Sequence, residues 1–151
     1  MKQVIFVCLG NICRSPMAEM MMEELVEKKN LRTEIKVESR STSTYEIGNP
    51  PHPGAIKELR KENVPIIDHQ AQQITAADFE KANLVIGMDH QNIVDLKQMA
   101  PKKDQFKIHL AYESLGQTDE VQDPWYDHNF QRTYKQLLEI LPGWLKQLVK
   151  E

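Results

Sequence analysis

VIFVCLGNICRSP, residues 4–16, runs from four apolar side chains through a short turn into Ser-Pro. Val4 to Val7 shows no polar alternation, the pattern of a parallel strand buried on both faces. Gly10 and Asn11 then break the run. Ser15 is suited to cap a helix and Pro16 to open it, while Ala18, Met21, Met22, Leu25 and Val26 recur at helical spacing. A buried strand, a tight turn and a helix in succession predict an α/β layer fold with a parallel sheet, whose ligands gather at the carboxyl ends of strands.

Downstream segments fit that frame. Thr33 to Val37 alternates as an edge strand, Pro53 opens a short helix with Ala55, Ile56 and Leu59, and Thr75 with Asp78 forms a capping pair. Leu84-Val85-Ile86 reads as a second buried strand, with Asp89 capping the helix beyond it. Phe106, Ile108 and Leu110 alternate as another edge strand. From about Phe130 helical spacing returns through Leu137, Leu141, Trp144 and Leu148, and Pro142-Gly143 is expected to kink or break that helix. Four of the five methionines up to Met22 read as helix-face packing residues.

The chain of 151 residues is 40% hydrophobic and carries a net charge of −3, which suits one domain spanning 1–151 with one sizeable core. Its basic pairs are scattered, so no nucleic-acid footprint is expected, and no apolar stretch is long enough for a membrane span or a signal-peptide core. The expected location is the cytoplasm. In that reducing compartment Cys8 and Cys13 read as free thiols with chemistry rather than as a structural disulfide.

A loop leaving a buried strand and entering a helix presents backbone N–H groups and the positive end of the helix dipole, which makes an anion site. The nucleotide-binding loop is excluded, because its second glycine and Lys-Ser/Thr pair are missing. Cys8 lies in the field of the loop amides and Arg14, which favours the nucleophilic thiolate. Arg14 can grip two oxygens of a phosphoryl group with its fork. Thiolate and guanidinium around one anion point to phosphoryl transfer; the plainer alternative is a core cysteine beside a surface arginine. Zinc is disfavoured, since neither a His pair nor a second Cys pair follows Cys8 and Cys13.

VCLGNICRSPMAE, residues 7–19, resembles the signature of the low-molecular-weight protein tyrosine phosphatases. The resemblance extends through STSTYEIG at 41–48, DHQAQQI at 68–74, GMDHQN at 87–92 and DPWY at 123–126. It implies a three-layer fold with a central four-stranded parallel sheet flanked by helices on both faces. It further implies Cys8 as nucleophile, Arg14 as phosphate clamp, and a phosphate-binding loop of Leu9, Gly10, Asn11, Ile12 and Cys13. Ser15 would steady the thiolate as leaving group, and Asn11 would shape the loop through Ser39 and His69. Asp89 is either a helix cap or a support of the site, and His69 is equally a satisfied buried histidine.

The leaving tyrosine needs a proton, and among Asp119, Glu120, Asp123 and Asp127 the best donor is Asp123, where Pro124 fixes a turn and Trp125-Tyr126 adds aromatic walls. The resemblance of DPWY to the family's acid motif agrees. Asp127 reads as the cap of the last helix, and Asp119 and Glu120 as solvated loop charges. Tyr45, Trp125 and Tyr126 resemble the family's cleft rim, whose depth favours phenyl phosphates over phosphoserine and phosphothreonine.

The resemblance thus implies a metal-free, cofactor-free hydrolase acting on a phosphotyrosine protein, a bacterial-type tyrosine kinase among the candidates. It would work mainly as a monomer, with a weak dimer through the aromatic rim as an alternative. It also suggests a reversible Cys8–Cys13 disulfide after oxidation, against which stands simple packing of Cys13 behind the loop. The runner-up is a protein arginine phosphatase, a relative that typically carries threonine where this chain has Ile12; a non-catalytic phosphate-binding domain ranks below it. Ser41 and Ser43 stand where the family commonly has glycine, and Gly54 and Gln72 where it often has arginine. These departures surround the substrate loop and bear on peptide selectivity more than on chemistry.

Overall fold

The computed structural model describes residues 1–150. Strands β1 (Lys2–Cys8), β2 (Ile35–Ser41), β3 (Leu84–Gly87) and β4 (Ile108–Leu110) form one parallel sheet in the order β2-β1-β3-β4. Helices α1 (Arg14–Lys28), α2 (Pro53–Lys61), α3 (Ala76–Lys81), α4 (His90–Met99), α5 (Pro124–Asp127) and α6 (Phe130–Lys150) complete the described elements, with 3-10 turns at Lys102–Lys107 and Ala111–Leu115.

β1 organises the rest. Val4, Ile5, Phe6 and Val7 are wholly buried and feed two cores in alternation, as the period of a strand demands. Val4, Phe6 and Cys8 pack with α1, α2 and α6, while Ile5 and Val7 pack with Phe79 of α3 and Leu96 of α4. The chain leaves β1 toward β2 on one side and reaches β3 on the other, so the carboxyl end of β1 is a point where the strand order reverses. Cys8 pairs with Ser41 there, and Gly87 ends β3 beside Val7, which collects the segments after β1, β2 and β3 on one edge.

Several local expectations are corrected. Ser15 is not a cap: α1 begins at Arg14, no side chain caps it, and the Ser15 hydroxyl is drawn instead to Cys8 and Asn11. The first edge strand begins at Ile35 and continues to Ser41, because pairing with β1 holds it through Cys8. Phe106 lies outside β4, 74% exposed in the preceding 3-10 turn. Asp127 does not cap α6; Asn129 does, its Oδ1 accepting from Arg132 N at 3.0 Å, while Asp127 is ion-paired to Arg132 at 2.8 Å. Glu120 is not a free loop charge, since its Oε2 accepts from His90 N at the start of α4.

Helix α6 runs unbroken through Pro142. An interior proline costs about 3 kcal/mol, yet Trp144, Leu145 and Leu148 continue the buried stripe beyond it, and each such side chain returns about 1.5–3 kcal/mol on burial. The carbonyl that the proline leaves free belongs to exposed Leu138, where water can satisfy it. Trp144 Nε1 also donates to Ala111 O at 2.9 Å, fastening this half of the helix to the turn at 111–115.

Gly143 packs against that turn: a Cβ there would lie 2.9 Å from Ser114 Cβ and 3.1 Å from Ser114 O. Gly143→Ala gains about 1 kcal/mol of helix propensity but overpacks a backbone contact at a cost of about 1–3 kcal/mol. A lowered urea midpoint is expected; a gain near 1 kcal/mol would contradict this packing.

Candidate active site

Between β1 and α1 four carbonyls of the loop are bound by three other segments of the protein. Cys8 O accepts from Thr42 N, Leu9 O from Ser43 N and Oγ, Asn11 O from His69 Nε2, and Ile12 O from His52 N. With those carbonyls turned outward, the N–H groups of Leu9 to Cys13 find no acceptor among the described residues. Asn11 sits at φ 61°, the left-handed backbone that lets successive N–H groups converge into an anion-binding concavity.

Asn11 locks this shape from inside. Its Nδ2 donates to Ser15 Oγ at 2.8 Å and to Ser39 Oγ at 3.0 Å, and its Oδ1 accepts from Gln72 N at 3.0 Å. Every hydrogen-bonding position of the amide nitrogen is used, which fixes the amide's orientation. Ser39 Oγ in turn donates a hydrogen bond to Glu19 Oε1 at 2.5 Å. His69 must donate from Nε2 to the Asn11 carbonyl, 2.8 Å away, and burial lowers its pKa, so it acts as a neutral ring. Ser15 Oγ lies 3.1 Å from Cys8 Sγ and 3.4 Å from Arg40 O; having accepted from Asn11, it has one hydroxyl proton for these two acceptors, and the sulfur is the nearer.

Arg14 is buried with its fork divided. Nη1 donates to Asp89 Oδ2 at 2.8 Å and to Val121 O at 2.9 Å, and Nη2 lies 3.5 Å from Asp123 Oδ2. Buried Nε has no partner. Burial opposes the charge, but Cys8, Asp89 and Asp123 outweigh it and hold the guanidinium above its ordinary pKa. Asp89 caps α4 through Asn92 N at 2.7 Å and also accepts from Arg14, so the cap does not preclude a contact with the loop's arginine.

A cavity of about 270 Å³ opens over this loop, lined by Cys8, Leu9, Gly10, Ile12, Cys13 and Arg14 below and by Tyr45, Glu46, Asp123, Trp125 and Tyr126 above. Asp123 enters it from the N-cap of α5, its Oδ1 accepting from Trp125 N at 3.0 Å. Tyr45 and Tyr126, 79% and 81% exposed, stand at the mouth with half-exposed Trp125. Ser39, His69 and Asp89 lie behind the loop and do not line the cavity. Among the described residues no cluster of three His, Cys, Asp or Glu side chains could hold a metal ion.

Sequence reading missed Glu19, one helical turn beyond Ser15, and Glu46, whose Cγ lies 3.3 Å from where a Cβ on Gly10 would stand. An acidic side chain on a helix otherwise buried along that face was the available signal for Glu19. Nothing local signals Glu46. The departures at 41 and 43 also acquire a reason: Ser43 Oγ donates to Leu9 O at 2.7 Å and Ser41 Oγ to Ser43 O at 2.6 Å, pinning the segment after β2 to the loop after β1.

Residues 3–151 match the family model described as low molecular weight phosphotyrosine protein phosphatase. The chain is 37% identical over 153 residues to the low molecular weight protein-tyrosine-phosphatase PtpA of Staphylococcus aureus, covering 100% of this chain and 96% of that one. Among solved structures, SP-PTP, a low molecular weight protein tyrosine phosphatase from Streptococcus pyogenes, is 40% identical with a TM-score of 0.87, covering 98% of this chain and 93% of that one. A Drosophila arginine phosphatase is 30% identical with a TM-score of 0.88, covering 97% of each chain.

Cys13 is a free buried thiol, and burial, then the nearby Cys8, push its pKa up to about 12. In Cys8→Ser protein at pH 8, iodoacetamide should therefore label Cys13 about a hundredfold or more slower in the folded state than in denaturant, read by mass spectrometry. Rapid labelling of folded protein would show that Cys13 is neither buried nor protonated.

Proposed function

Because the chain belongs to the low molecular weight phosphotyrosine protein phosphatase family, we propose that it hydrolyses phosphotyrosine in proteins through a phosphocysteine on Cys8. The Cys8 thiolate attacks phosphorus; the S–P bond forms as the P–O bond to tyrosine breaks, and protonated Asp123 gives its proton to the departing phenolate. Asp123, now a carboxylate, takes a proton from water. The water oxygen attacks phosphorus, the S–P bond breaks, and Cys8 leaves as a thiolate steadied by the Ser15 hydroxyl. Equatorial charge is held throughout by Arg14 Nε and Nη2 and the loop N–H groups. The observation that carries this reading is the unpartnered, buried Nε of Arg14 together with five unused loop amides, in a loop that lines one cavity with Cys8.

Tyr45, Trp125 and Tyr126 supply aromatic walls for a phenyl ring, and Ile12 an aliphatic one. Phosphoarginine is the second reading, favoured by the carboxylates of Glu46 and Asp123 at the cavity, which would suit a guanidinium leaving group. The chain 1–151 acts as one domain and as a cytoplasmic monomer, with a bacterial-type tyrosine kinase among its phosphotyrosine substrates. Two free cysteines agree with a reducing compartment, and a monomer leaves the exposed rim open to a protein partner. No described helix is long and apolar enough to cross a membrane. After oxidation of Cys8 by peroxide to a sulfenic acid, attack by the Cys13 sulfur would form a disulfide and release water, against the small thiolate fraction that a pKa of about 12 leaves.

Phosphate release from matched phosphotyrosine, phosphoarginine and phosphoserine peptides tests the reading. Phosphotyrosine should be preferred, with Cys8→Ser inactive and Asp123→Asn slowed about 10²–10⁴-fold. Preference for phosphoarginine would keep the chemistry and change the substrate. No release from any peptide would leave a phosphate-binding domain.

A further inference from the structure

We infer that His52 is a positioning residue for the general-acid loop, bracing Trp125 and through it Asp123 against the phosphate loop. The inference rests on the reading of Asp123 as the acid. His52 sits at a junction of three segments. Its backbone N donates to Ile12 O of the phosphate loop at 2.8 Å, and its Nδ1 accepts from Gly54 N at 2.9 Å, capping α2. Its ring meets Trp125 edge-on, with centroids 5.7 Å apart and planes at 84°, the favoured T-shaped geometry. Trp125 N in turn donates to Asp123 Oδ1.

α5 needs such a brace. It spans four residues, too few to hold itself, and Trp125 is half exposed, so little core fixes the segment that carries the acid. On its other side the His52 ring rests against buried Phe130, with centroids 5.0 Å apart. Phe130 reaches that position only because residue 54 is glycine: a Cβ there would lie 2.2 Å from the Phe130 ring. Gly54, which stands where the family often has arginine, thus makes room for the buttress behind His52. A cap alone does not call for histidine, since Asp, Asn and Ser serve better. The ring is what distinguishes this residue.

Cap and ring separate by substitution. His52→Asp keeps the cap and removes the ring; His52→Phe keeps the ring and removes the cap. Each is assayed for kcat/KM on aryl phosphates whose leaving phenols range from strongly acidic to tyrosine-like, because only poor leaving groups need the acid. His52→Asp should lose about two- to tenfold on the tyrosine-like phenol and little on the acidic one, whereas His52→Phe should follow wild type across the series while unfolding at a lower temperature. With 5-fluorotryptophan in place of tryptophan, the ¹⁹F resonance of Trp125 should move in His52→Asp and stay in His52→Phe, with buried Trp144 as internal reference. His52→Asn, which also caps, repeats the test if His52→Asp does not fold. Equal loss across the series in His52→Asp, no loss at all, the reverse order of the two variants, or an unmoved Trp125 resonance would each overturn the inference. Asp123→Asn is run beside them: if its own leaving-group dependence is no steeper than wild type, the acid assignment fails, and this inference with it.

Discussion

The outward turn of the loop carbonyls after β1 is the constraint on which the remaining geometry depends. A peptide unit that points its carbonyl out points its N–H in, so each anchor on Cys8, Leu9, Asn11 and Ile12 frees an amide for an anion. The anchors come from the segments after β2 and before α2 and from the loop carrying His69. The sheet makes this possible by ending β1, β2 and β3 at one edge, at the point where its strand order reverses.

Electrostatics then divides the work of two carboxylates on one buried guanidinium. Asp89 binds Nη1 at 2.8 Å together with the Val121 carbonyl, which fixes the plane of Arg14. Asp123 stands 3.5 Å from Nη2, beyond good hydrogen-bond distance, and is partly exposed at the cavity. In the proposed reaction the tight partner orients the clamp and the loose one gives and takes the proton. Behind the loop, Asn11, Ser15, Ser39, Glu19 and His69 form a connected polar set in which the side-chain amide of Asn11 uses both its donors, a condition under which a buried network confers rigidity.

What was legible in the sequence was what depends on near neighbours. A continuous apolar run must be a strand buried on both faces, and glycine with Ser-Pro after it must turn into a helix, so β1, its loop and α1 follow directly. Ser39, His69 and the support role of Asp89 came from resemblance, because 28 to 75 residues separate them from Asn11 and Arg14, which they touch only in the folded chain. Ser15 misled because its spacing suits a cap, while its hydroxyl answers to a sulfur in the preceding strand. Pro142 misled because propensity is local and the burial of Trp144 and Leu148 is not. Glu46 and the ring of His52 carry no local mark at all: their neighbours are Gly10, Trp125 and Phe130.

The covalent step is the claim on which the account stands. Asp123→Asn protein mixed with a phosphotyrosine peptide, stopped within one turnover in alkaline denaturant and read by peptide mass spectrometry, should carry one phosphoryl group on the peptide containing Cys8, and none when Cys8→Ala is added. A phosphoryl group on another residue, or product formed in the first turnover with Cys8 never modified, would contradict it.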